Sequence, residues 1–107
     1  MNPVKPSPSP SAPNECLIRG RIAKVKPAPG GIGMVWSVEL EGSTDLPGAA
    51  NFARRAVGSV IRVLVHPGLK ETFEPDAVVE ARVSYQGDEG GGAFFLMGQD
   101  VRRVPKD

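Results

Sequence analysis

Residues 34–41 read MVWSVELE, and the alternation is strict. Met34, Trp36, Val38 and Leu40 fall on one side; Val35, Ser37, Glu39 and Glu41 fall on the other. A period of two over eight residues marks a strand with one face in a core and the other in water. Trp36 belongs to the apolar set, so the sequence predicts it inside. Working outward, runs at 16–26 (CLIRGRIAKVK), 59–66 (SVIRVLVH), 77–85 (AVVEARVSY) and 93–97 (AFFLM) share this β-rich texture, the last continuing past Gly98 toward Val104. Prolines and glycines interrupt them: Pro27, Pro29 and Gly30-Gly31-Ile32-Gly33, then Pro67-Gly68, then 86–92 (QGDEGGG). These residues stop or reverse strands because proline lacks a donor and glycine tolerates positive φ. Five short strands without a long helical pattern predict an all-β barrel or sandwich.

Two connections are less regular. Residues 49–57 (AANFARRAV) place Ala49, Phe52, Ala53, Ala56 and Val57 at helical spacing, with Gly58 as a stop. This predicts one short helix that packs Phe52 onto a barrel end. Residues 69–76 (LKETFEPD) predict at most one turn, with Phe73 as anchor. Upstream, MNPVKPSPSPSAP over 1–13 holds five of the 11 prolines. Such a stretch lacks both backbone donors and apolar side chains, so a disordered, solvated tail is expected there, with the domain over 14–107. It has no apolar h-region, so no secretory signal is expected. Residues 3–6 spell PxxP, a ligand pattern for aromatic grooves, but a plain leader is the simpler reading.

The order of these runs resembles an OB-fold, the five-stranded Greek-key barrel. There the first strand curls between two sheet halves and often carries a mid-strand glycine, the place of Gly20 in LIRGRIAKV. Residues 14–40 resemble bacterial single-strand DNA-binding and primosomal proteins of the SSB-like group. Ile18, Gly20, Ile22, the 27–33 loop and Val38-Glu39 stand in the places of that group's opening pattern, and Val57-Gly58-Ser59 with Ile61 and Val63 resembles the start of the third OB strand. OB domains usually carry their helix between strands three and four, whereas the better helical stretch here lies between two and three. The resemblance implies an OB-like barrel and single-stranded nucleic-acid binding, and fold likeness alone does not assign function.

The chain of 107 residues is 40% hydrophobic and 23% charged, enough for one small core. A single cysteine, Cys16, excludes an intrachain disulfide and a multi-cysteine zinc site, and fits a reducing compartment, so a cytoplasmic location is expected. Catalysis would need His66 beside a serine or Cys16 with an orienting carboxylate. His66 ends a strand and Cys16 sits in an apolar run, so no catalytic residue is assigned. The 30–33 cluster lacks the Lys-Ser/Thr of a phosphate loop and leads into a strand, not a helix. Asp88 and Glu89 offer too few oxygens for calcium, so neither metal nor cofactor is expected.

Net charge is only +1, but its distribution is uneven. Residues 15–26 and 54–62 each sum to +3, residues 39–45 and 70–80 each to −3, and Arg102, Arg103 and Lys106 make the C-terminal end basic. If the first strand lies near the last, the positive clusters form one face that could track a nucleic-acid backbone. Arg19, Arg21, Lys24 and Arg62 are then the expected phosphate contacts. Phe94 and Phe95 are consecutive, so one ring points outward; Tyr85 and Phe94 are taken as the stacking pair. Glu39 and Glu41 on the solvent side of the second strand oppose this reading. The alternative is a protein-interaction module that docks through a strand edge or that acidic strand. On either reading the chain is a non-enzymatic binding domain, with single-stranded DNA or RNA, or a protein, as partner.

Overall fold

Alternation of the kind seen in 34–41 recurs in every strand of the computed structural model, which describes residues 14–88 and 91–105. The expected tail over 1–13 and the loop residue Glu89 lie outside the described residues. The strands are β1 (Glu15–Pro27), β2 (Met34–Asp45), β3 (Val60–Val65), β4 (Val78–Asp88) and β5 (Gly91–Arg103). They close into a barrel in the order β1-β2-β3-β5-β4, with β4 pairing back onto β1. Every pairing is antiparallel except β3–β5, which is parallel. The fold is thus the all-β, five-stranded closed barrel that the sequence predicts, compatible with an OB-like topology.

Inward residues follow from period two. Cys16, Ile18 and Ile22 of β1, Trp36, Val38 and Leu40 of β2, and Ile61, Val63 and Val65 of β3 meet Val79, Ala81 and Val83 of β4 and Phe94 and Leu96 of β5. Among the described residues no polar or charged side chain is buried in this core. Each fully buried aliphatic or aromatic side chain contributes about 1.5–3 kcal/mol relative to exposure. Trp36, 3% exposed, is inside as expected.

β1 is long enough to serve both halves of the barrel because it bends. Its register against β2 shifts between Arg19 and Gly20 and again between Ile22 and Lys24. At the first shift a methyl group on Gly20 would meet the Glu39 carbonyl and lie 2.7 Å from Val38 Cγ1. The glycine predicted for the bend is there because two strands approach too closely for a Cβ.

The predicted helix over 49–57 does not form. Only a 3₁₀ turn, Arg54–Ala56, appears there, with a second at Pro29–Gly31. Asn51 explains the local choice: its Oδ1 accepts from Ala53 N (2.9 Å) while its Nδ2 donates to Ser43 Oγ and Asp45 Oδ1. Those bonds fasten the connection to β2 and offer the backbone an alternative to helical pairing. Phe52 does reach the barrel end, edge-on to Tyr85 at 5.3 Å, but stays 53% exposed. Between β3 and β4, residues 66–77 form an irregular loop that buries Phe73 (4% exposed) against Trp36, the rings 5.4 Å apart.

Gly20→Ala should therefore lower stability by about 1–3 kcal/mol through overpacking. Gly42, on the adjoining strand, has nothing within 4 Å of the corresponding position, so Gly42→Ala should stay within about 0.5 kcal/mol of the parent. Urea unfolding followed through Trp36 emission separates the two; matching midpoints would remove close strand approach as the reason for Gly20.

Candidate functional site

The structure divides the residues expected to bind phosphate. Arg19 and Arg21 project from the outer face of β1 directly toward the outer face of β2. Arg21 holds Glu39 with two hydrogen bonds, Nη2 to Oε2 at 2.7 Å and Nε to Oε1 at 3.2 Å, and also pairs with Asp76. The Glu39 bonds, then its charge, push the Arg21 guanidinium pKa further up. Arg19 lies 3.9 Å from Glu41. These two arginines are spent on the carboxylates of the strand beside them. At the basic end of the chain Arg102 pairs with Glu80, and Arg103 with Glu71 and Glu74, while Lys106 lies outside the described residues. β1 neighbours β2 and β4 rather than β5, so the single basic face expected from the charge clusters does not assemble.

Lys24 and Arg62 do come together. Register pairs Lys24 with Ser37 and Ser37 with Arg62, so the three share one outward row across β1, β2 and β3. Two strand spacings separate the cations at their backbones, about 10 Å. The next row holds Lys26, Val35, Leu64 and Phe95, each opposite the next. Among the described residues Lys24, Lys26 and Arg62 have no carboxylate within ion-pair reach, nor do Arg55 and Lys70 away from this face, while Arg19, Arg21, Arg54, Arg82, Arg102 and Arg103 all do.

The aromatic assignment needs correction. Phe94 is 5% exposed and pairs with Val63, so it is a core ring. Tyr85 also turns inward, half-buried and edge-on to Phe94 at 5.1 Å. Phe95 is the outward ring, beside Leu64 on one strand and Ser84 on the other. An open cleft of about 300 Å³ borders it, floored by Leu64 and Phe95 and overhung by Pro29 and Ile32 of the loop before β2. Ile32 is 73% exposed. Gly33 lets this loop fold close: its φ is +81°, and a methyl group there would collide with the Val65 carbonyl oxygen. The outward face therefore offers an aromatic and aliphatic row edged by unpaired cations.

A depression of about 500 Å³ lies on the opposite wall, lined by Leu17, Arg82 and Arg102. Its Arg82 pairs with Asp100 (2.9 Å) and its Arg102 with Glu80, which leaves little there to recognise a ligand. His66 is half-buried, its Nε2 2.7 Å from the Gly98 carbonyl, rather than a bare turn residue. Cys16 is 1% exposed, and burial pushes its thiol pKa up, against a smaller opposing effect of the Ala53 backbone. That thiol is a packing group, as the sequence suggested.

No family model, curated protein or solved structure matches the chain. Among the described residues no helix is long and apolar enough to cross a membrane. Lys26, Val35, Leu64 and Phe95 went unassigned in the sequence reading. The available signal was parity: in VIRVLV the outward set Val60, Arg62, Leu64 is itself largely apolar, more than a purely solvated face requires.

Two carboxylates tie loops to the barrel. Hydrogen bonds from Arg54 and then Asn51 hold the Asp45 carboxyl below its usual range, and a hydrogen bond from Arg103 does the same for Glu74. A carboxyl whose folded pKa is depressed contributes stability that is full above its unfolded pKa and lost as pH falls through the folded value. Stability should thus decline from about pH 4 downward, the range where free carboxylates protonate. Asp45→Asn with Glu74→Gln should flatten that acid limb. An unchanged pH dependence in the double variant, measured by chemical denaturation between pH 2.5 and 6 (roughly spanning these groups), would contradict the assignment.

Proposed function

We propose that this barrel is a non-enzymatic module that binds single-stranded nucleic acid, DNA or RNA, across the outward face of β1, β2, β3 and β5. The supporting observation is the row Val35–Leu64–Phe95 flanked by Lys24, Lys26 and Arg62, cations without carboxylate partners among the described residues. A single strand needs this pairing of a sequence-tolerant stacking surface with charges spaced along its backbone. The resemblance of residues 14–40 to SSB-like proteins favours the same reading. Glu39 and Glu41, which oppose it in the bare sequence, are neutralised by Arg21 and Arg19. A protein-docking role draws on a separate observation, the exposure of Phe52 (53%) and Val60 (58%).

Titration of a labelled oligothymidylate at two salt concentrations tests the proposal. Three phosphate contacts give a slope of log affinity against log salt of about −2, at roughly −0.7 per contact for single strands. Lys24→Glu, Lys26→Glu and Arg62→Glu should each weaken binding and flatten that slope, while Arg19→Glu and Arg21→Glu do so less. Phe95→Ala should cost about 1–3 kcal/mol per stacked base without changing the slope. Absence of binding at about 50 mM salt, where surface charge is weakly screened, would overturn the proposal and leave the protein-docking role.

A further inference from the structure

Beside the outward face lies a second cavity, of about 430 Å³, beneath the 28–33 loop and the start of the 66–77 loop. Trp36 and Phe73, meeting at 62° and only 3% and 4% exposed, form its floor, and Val25, Met34 and Leu69 complete apolar walls. Its size and lining are those of a small-molecule site, where a few polar groups set orientation. His66, Glu71 and Thr72 supply them. We propose that this cavity receives one unstacked nucleobase of the strand lying on the neighbouring face, a deepening that rests on the function proposed above.

Three features carry the assignment. First, the cavity is continuous with that face: Met34 and His66 border both it and the cleft beside Phe95, and its wall residue Val25 directly precedes Lys26. A backbone phosphate on Lys26 places its base within reach of the opening. Second, the rim is electrostatically compatible with a polyanion. Its one carboxylate, Glu71, is paired with Arg103, so an incoming phosphate meets no unpaired negative charge from the rim. Third, β5 pins the loop wall before any ligand arrives. Gln99 Nε2 donates to the Gly68 carbonyl (2.8 Å) and its Oε1 accepts from Lys70 N (3.0 Å). Arg103 covers the Phe73 ring at 4.5 Å and donates to the Thr72 carbonyl (2.6 Å). The Gly98 carbonyl can only accept, so His66 Nε2 donates in this contact and the ring is held in place. A planar, mainly apolar group with edge donors and acceptors fits such a preformed cavity, and preorganisation lowers the cost of binding it.

The chain has one tryptophan, so the Trp36 indole N–H is a unique NMR reporter. The probes are an eight-residue oligothymidylate and the same oligomer with abasic central positions. With the intact oligomer the Trp36 indole resonance should shift at saturation. The abasic oligomer should bind about 10-fold more weakly, the scale of one lost stacking contact, and leave Trp36 unmoved. Leu69→Phe, which fills the cavity, should reduce affinity for the intact oligomer to about the abasic level with the salt slope unchanged. The Trp36 shift in the unmodified protein needs no variant, so a misfolded Leu69→Phe does not remove the test. Equal affinity for both oligomers with a stationary Trp36 would overturn the base pocket while leaving the electrostatic face intact. Failure of every oligomer to bind at low salt would overturn both.

Discussion

The parallel contact between β3 and β5, paired at Val63–Phe94 and Leu64–Phe95, is the constraint on which the rest of the barrel depends. Without it the chain is a β1–β2–β3 meander joined to a β4–β5 hairpin through β1, with two open edges exposed to further pairing. Closing the seam buries Val63 against Phe94 and removes those edges over its length. It also fixes parity, because a slip of one residue would exchange every inward side chain of β5 for its outward neighbour. Phe94 in the core and Phe95 on the surface are thus one decision. Closure further wraps a single outward row around the molecule: from Glu15 through Ser84, Phe95, Leu64 and Val35 it returns to β1 at Lys26, eleven residues along. That stagger brings a cation from the far end of β1 beside the aromatic of β5.

A closed barrel must still be plugged at both ends, and here loops do it in place of helices. At one end Phe73 lies against Trp36; at the other Ala53 is fully buried, with Phe52 edge-on to Tyr85. Neither loop has the helical run that would satisfy its own backbone; Gln99 and Arg103 of β5 supply partners to the 66–77 loop, and Asn51 and the Leu40 carbonyl do so in the connection before β3. β5 contributes most through an irregularity. Opposite the single residue Arg82 it carries Met97–Asp100, with Gly98 at φ +55°. A bulge of this kind re-aims side chains, and here it directs the Gly98 carbonyl and the Gln99 amide onto the 66–77 loop. The irregular pairing of β5 and the order of that loop are therefore one feature.

Much of this was legible in sequence because burial imposes a period. The alternation through Trp36, the apolar setting of Cys16, the strand punctuation and the bend at Gly20 each follow from a local physical rule that tertiary structure obeyed. The helix over 49–57 failed because its apolar spacing competed with Asn51, whose side-chain bonds to Ser43 and Asp45 depend on a strand eight residues away. Phe94 could not be told from Phe95 by alternation alone, since both are aromatic and the seam that decides between them is non-local. The charge clusters misled for a similar reason. A run's net charge is a local sum, whereas the field at a surface depends on which strand lies beside it.

That dependence determines what the β1 arginines do. Exposed ion pairs contribute little to stability because solvent screens them, so Arg19–Glu41 and Arg21–Glu39 are poor explanations of it. Their larger effect is electrostatic: adjacent strands of opposite charge cancel along the Glu39–Glu41 half of β2 and leave the half nearer Met34 with Lys24, Lys26 and Arg62 uncompensated. A chain of net charge +1 has no long-range field to attract a polyanion, so any such recognition must come from cations left locally unpaired. Screening at physiological salt, over about 8 Å, favours the same arrangement: the cations that count are those within one Debye length of the row Val35–Leu64–Phe95, where a strand can neutralise them and stack in the same contact.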